Sequence, residues 1–267
     1  MRISFCKLIG VTTCLLVTTF TAKAQEETNW VYYTNYENTI VTQWSNGQWN
    51  TNDAIPGSIL LFMYRGTETN LTIPSTITGR PVTWLSSHGL QADAMLVNLD
   101  IQEGLLGMDR TAFTGHPWLE NVMFPASLTN IGAYNFSDAG GFSKRVGFYF
   151  AGNAPAVDPT AFQRDSNATV YYLRGTTGWG ATFNGIPTAI WQPQMQVSRT
   201  SNGGAANEFG FNVSWASGRT VVVEACTNLS NPGWTAIQTN TLTSGSIYLT
   251  DPQWKNYPGR AYRVRSP

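Results

Sequence analysis

The chain has 267 residues, with 16 Lys or Arg balanced by 16 Asp or Glu, and only 12% of its residues are charged. Soluble domains average about 25% charged residues, so this composition, rich in Thr, Asn, Ser and Gly, predicts β structure with uncharged polar faces and excludes coiled coils and long amphipathic helices. With no basic excess to displace counterions from phosphates, nucleic acid is excluded as a partner.

Residues 1–24 read as a secretion signal: Arg2 and Lys7 lead, an apolar stretch runs from Leu8 to Phe20, and Ala22-Lys23-Ala24 forms a small-residue cleavage site. A stretch of 13 residues is too short for a membrane span, which needs about 20. The expected protein is therefore secreted or displayed at the cell surface and does not span a membrane. Removing the signal takes three basic residues and no acid, leaving 13 basic against 16 acidic groups. Cys6 and Cys14 leave with it, so Cys226 has no intrachain disulfide partner and is read as a small buried hydrophobe.

Residues 25–69 contain strand-like segments at Trp30 to Tyr33, Thr39 to Thr42 and Ile59 to Tyr64. We read this region as an N-terminal β cap, because a stacked fold would otherwise expose the apolar surface and strand edge of its first unit.

Residues 70–190 repeat. Leu99, Ile101, Leu105, Met108 and Phe113 recur 23 residues later as Val122, Phe124, Leu128, Ile131 and Phe136. A further copy, Phe148, Phe150, Ala154, Val157 and Phe162, follows at an offset of 26. An earlier copy starts at Leu71, Ile73 and Ile77, takes a five-residue insertion, and resumes at Leu85 and Leu90. A recurring unit too short to bury its own apolar face predicts a solenoid of stacked coils. In Leu119 to Phe124 the alternation sends Val122 and Phe124 inward and Asn121 and Met123 outward, and Pro125 stops the strand. Stacking by the repeat offsets aligns Thr72, Asp100, Met123 and Tyr149 in one outward row and Asn70, Asn98, Asn121 and Gly147 in the next. Within a row, residues on adjacent strands sit about 4.8 Å apart, forming an extended face of the kind solenoids use for recognition. The candidate ligand-binding residues are Asn98, Asp100, Trp118, Asn121, Met123 and Tyr149. The competing reading is an asparagine ladder that satisfies only itself and water, with Trp118 as coil-edge packing.

The segment Leu119-Glu-Asn-Val-Met-Phe-Pro-Ala-Ser-Leu-Thr-Asn-Ile-Gly132 resembles the repeat of BspA-type bacterial leucine-rich repeats, which runs Leu-x-x-Val-x-Ile-Pro-x-Ser-Val-x-x-Ile-Gly and then Ala-Phe. Ala112-Phe113 and Ala161-Phe162 match that final pair, and Thr72 to Ile77 with Gly79 to Val82 matches the usual entry coil. Tyr134-Asn135-Phe136 and Gln102-Glu103 depart from the pattern, and the usual Gly-Cys after Phe is absent. The resemblance implies a leucine-rich-repeat solenoid in a secreted or surface-exposed protein that is not an enzyme and serves adhesion.

Gly175 to Ile190 reads as a segment that closes the solenoid. Residues 191–267 then show six short strand patterns separated by turns such as Ser217-Gly218 and Asn231-Pro232-Gly233, which predicts a small antiparallel β-sandwich. Val223 to Leu229, Trp234 and the terminal Tyr262 to Pro267 resemble fibronectin type III-like C-terminal modules of bacterial secreted repeat proteins.

Catalytic patterns are weak. Only His88 and His116 are available, so a metal site is not expected. Asp100, Glu103 and Asp109 form a local acidic group that could serve hydrolysis only within a cleft, and a solvated coil edge is the simpler reading. Gly175-Thr-Thr-Gly178-Trp179-Gly180 lacks the Gly-Lys-Ser/Thr ending of a phosphate loop. The expectation is a monomeric, non-catalytic recognition protein without metal or cofactor, binding an extracellular protein or glycan. The alternative is a carbohydrate-binding accessory protein that uses Trp179, Trp234 or Trp254, and it requires one of these to be exposed and coplanar with a neighbour.

Overall fold

The computed structural model describes residues 25–267 apart from 28, 35–39, 46–47, 54, 88–94, 140, 142–144, 166, 199–208 and 244. The signal assigned to residues 1–24, together with His88 and Leu90, lies outside the described residues. Strand dominates, and among the described residues the one helical piece is the 3₁₀ turn Trp254–Asn256. None of the described residues forms a helix long and apolar enough to cross a membrane.

The repeats form a β-solenoid of about four turns. Each turn contributes one strand to each of two parallel ladders. The strands of the long ladder are Asn70–Ile73, Asn98–Ile101, Asn121–Phe124 and Val146–Phe150. The return strands are the six-residue Arg80–Leu85 and the two-residue Gly107–Met108, Asn130–Ile131 and Ala156–Val157. The registers follow the repeat offsets: Leu71 pairs with Leu99, Leu99 with Val122, and Val122 with Phe148, while Leu85 pairs with Met108 and Met108 with Ile131. Both ladders pack their apolar side chains into one core, with Phe113, Phe136, Phe148 and Val170 essentially inaccessible to water. Each such side chain stabilises the fold by about 1.5 to 3 kcal/mol. The phenylalanine closing each turn stacks on its successor: Phe113 and Phe136 lie 5.3 Å apart at 9°, and Phe136 and Phe162 lie 5.4 Å apart at 13°.

The insertion in the first copy is a hairpin. Thr76–Ile77 pairs antiparallel with the start of Arg80–Leu85, and the two-residue turn puts Thr78 at φ 50° and Gly79 at φ 76°, the left-handed values such a turn requires. The closing segment repeats the device. Thr182–Phe183 pairs with Pro187 and Ile186 around Asn184 at φ 48° and Gly185 at φ 83°. The sequence pattern stops at the fourth copy, but the long ladder does not. Ala168–Tyr172 and Ile186–Ile190 add two more parallel strands, giving six. At this end Asn184 Nδ2 donates to Asp158 O at 3.1 Å, and Ala154 N donates to Thr177 O at 2.9 Å. At the other end the return ladder continues into Ile59–Tyr64, parallel to Arg80–Leu85, and then Trp30–Thr34, antiparallel to it.

Residues 194–265 form two three-stranded antiparallel sheets. One joins Gln194–Ser198, Gly210–Ser214 and Ser246–Thr250, and the other Thr235–Thr241, Thr220–Cys226 and Ala261–Arg265. Their apolar faces meet in a core containing Phe211, Val213, Val221, Val223 and Leu249. Cys226 is buried and free. That core does not stop at the module boundary. Leu173 and Trp191 belong to it, Tyr149, Ala151 and Tyr171 of the solenoid pack against it, and Trp215 Nε1 donates to Trp191 O at 3.1 Å.

Candidate functional site

The outward face of the long ladder carries the two rows that the repeat offsets align. Asn70, Asn98 and Asn121 are paired across neighbouring strands, as are Thr72, Asp100 and Met123. The first row is a hydrogen-bonded amide ladder. Asn121 Nδ2 donates to Asn98 Oδ1 at 2.8 Å, and Asn98 Nδ2 donates to Asn70 Oδ1 at 2.6 Å. Side chains at the strand spacing of about 4.8 Å can bond in this way only when successive coils place the same residue at the same register. The ladder presents aligned amides at a fixed pitch with no net charge. It ends at Gly147, because the Tyr149 ring folds over that glycine, where an added Cβ would lie 2.5 Å from Tyr149 Cε2.

The second row divides in two. Thr72 and Met123 are exposed, Met123 by 37%, and Asp100 is half-buried between them. Burial raises the Asp100 carboxyl above its ordinary value, opposed by a bond from Gln102 Nε2 at 3.0 Å. Beyond Met123 the row is covered. Tyr149 stacks on Tyr171 at 4.7 Å and 10°, lies 5.1 Å from Trp191, and packs against the C-terminal core. Its hydroxyl pKa is raised by burial and then by Tyr171. Of the candidate residues, therefore, Asn98, Asp100, Asn121 and Met123 share one open surface, and Tyr149 is the seat of the C-terminal module.

Trp118 is 50% exposed on the turn before Asn121–Phe124. Met95, 59% exposed, holds the equivalent position one coil earlier, three residues before Asn98 as Trp118 is three before Asn121. Sequence reasoning passed over Met95, although the 23-residue offset from Trp118 marks it.

The acidic group is spoken for by the coil itself. Glu103, next to the Gln102 that stands where the repeat usually has proline, accepts from Ala126 N at 2.8 Å and Ser127 N at 3.2 Å and so ties its coil to the next. Asp109 accepts from Trp84 Nε1 at 2.9 Å, and burial raises its carboxyl pKa. Of the tryptophans required by the carbohydrate alternative, Trp179 is nearly coplanar with Tyr172, at 5.3 Å and 11°, but is half-buried against the solenoid core; Arg263 lies 4.4 Å over half-buried Trp234, and half-buried Trp254 sits 6.0 Å from Phe209 at 39°. Among the described residues no group of three or more His, Cys, Asp or Glu could hold a metal ion. Comparison with protein-family models, with curated proteins and with solved structures gave no match.

Proposed function

We propose that this protein is a secreted or surface-displayed, non-catalytic recognition protein that binds an extracellular protein or glycan through the open part of its solenoid strand face. The observation that carries the reading is the open surface formed by the uncharged Asn70–Asn98–Asn121 amide ladder and the adjoining row of Thr72, Asp100 and Met123. Aligned amides offer donors and acceptors at regular spacing, and Met123 adds an adaptable apolar contact. The structural bonds made by Glu103 and Asp109 support a non-catalytic role. In the same reading residues 1–24 direct secretion, 25–69 cap the first coil, 70–190 are a leucine-rich-repeat solenoid of the BspA type, and 191–267 form a fibronectin type III-like module.

The test is a binding screen of residues 25–267 against arrayed glycans and extracellular proteins, followed by Met123→Ala and Thr72→Ala. Both side chains are exposed, so their loss should leave folding intact. Binding weakened about tenfold by either change, equivalent to about 1.4 kcal/mol, supports the strand face. Binding indifferent to both places recognition elsewhere.

A further inference from the structure

The position three residues after the closing phenylalanine is His116, Ala139 and Asp165 in successive coils, and all three are buried. Asp165 is 7% exposed, and among the described residues both of its carboxylate oxygens are enclosed without a well-formed hydrogen bond, the Ala139 amide beside it being taken up by Phe136 O. Among the described residues, the charges around it do not offset a negative charge. Asp138, on the adjoining coil, carries the same sign, and Arg164 is directed to Asp138 at 3.6 Å with its side chain 71% exposed. Arg145, beyond the turn of the adjoining coil, is exposed, and His116 stands two coils away, about 10 Å by the ladder spacing. An uncompensated buried carboxylate is strongly unfavourable, and protonation removes the charge.

The turn that holds Asp165 is also the tie between two coils. Phe136 N donates to Ala161 O, Asp138 N donates to Gln163 O, and the turn closes through Asp165 N to Phe162 O and Ala168 N to Asp165 O. Ala168–Tyr172, the strand that follows, carries Tyr171 under the C-terminal module.

We propose that Asp165 is held as the neutral acid in the native fold and acts as a pH-sensitive latch on the fourth coil, loosening the 162–168 turn when it ionises. Burial first pushes this carboxyl up to about 8, the nearby Ala139 amide opposes the shift, and Asp138 adds to it. The unfolded chain ionises near the ordinary value of about 3.9. Between that value and about 8 the folded state keeps a proton that the unfolded state has lost. The folding constant therefore falls by up to tenfold per pH unit across this window and levels off above it.

The direct test is a carboxyl-carbon NMR titration of residues 25–267, together with thermal melting and amide hydrogen exchange from about pH 5 to 9, for wild type and Asp165→Asn. The expected result is a carboxyl midpoint near 8 that is missing in the variant. Wild-type stability should fall through the window more steeply than the variant's, with Ala161 and Ala168 amides losing protection first. A wild-type carboxyl titrating in the ordinary range overturns the proposal, as does a variant whose pH profile matches the wild type. Calcium that raises the wild-type Tm at pH 8 but not the variant's also overturns it, by making the site a cation site. If Asp165→Asn does not fold, Asp138→Asn should lower the Asp165 midpoint, and an unmoved midpoint counts against the proposal.

Discussion

Two asparagines do different work in neighbouring parts of the coil. Asn98 is half-exposed and links Asn70 to Asn121, so Asn98→Ala should destabilise the fold by about 1 kcal/mol, the ordinary net value of solvent-accessible hydrogen bonds. Asn135 is fully buried. Its Oδ1 accepts from Ala112 N at 2.9 Å, and its Nδ2 donates to Asp109 O at 2.7 Å and Gly132 O at 2.8 Å. Asn135→Ala strands those backbone groups and should cost about 2 to 4 kcal/mol, a difference that urea unfolding of the two variants will measure. The same residue explains a departure from the repeat pattern: asparagine stands where alanine is usual and bonds two coils together. In the C-terminal module Arg265 and then Arg263, each at 2.7 Å, hold the buried Glu224 carboxyl below its ordinary pKa. Its contribution is present above the unfolded carboxylate value and is lost as pH falls through the lower folded value. On acidification, Glu224→Gln should therefore lose less thermal stability than wild type, as melting curves from about pH 6 to 2 will show.

At the scale of elements, the unit of stability is the stacked coil. The phenylalanine column continues through the core as a run of near-parallel rings, so Phe136→Ala removes contacts to Phe113 below and Phe162 above and should destabilise by about 3 to 5 kcal/mol in chemical denaturation. Strand faces and registers were legible in the sequence, because a parallel ladder with inward and outward alternation transfers a fixed offset directly into pairing. The two final strands were not. Ala168–Tyr172 and Ile186–Ile190 extend the long ladder where the apolar spacing of the return strands has lapsed, since their partner is a hairpin instead of another return strand. Their direction and partners depend on pairing across the stack.

For the whole molecule, the junction is the decisive feature. Trp191 and Leu173 sit in one core with Phe211, Val213 and Trp215, so the solenoid and the C-terminal module should unfold in a single thermal transition. Trp191→Ala should split or broaden that transition in calorimetry, and residues 191–267 expressed alone should melt earlier than in the intact chain, because Tyr149, Ala151 and Tyr171 no longer cover their apolar face. This junction also sets the limits of the candidate surface. Asn98, Asp100, Asn121 and Met123 were identified from spacing and share an open face, whereas Tyr149, equivalent to them in register, lies under the module.

Composition and periodicity were enough for the β class, the stacked coils, the inward and outward faces and the alignment of the asparagine row, because each is a local property repeated at constant offset. Which part of the strand face remains open, which carboxylates hold backbone amides, and which one among the described residues is buried without a well-formed hydrogen bond depend on contacts between residues far apart in the chain. A periodic pattern assigns equal status to equivalent positions. Packing against a non-repeating neighbour, as when the C-terminal module covers Tyr149 but leaves Met123 in water, breaks that equivalence.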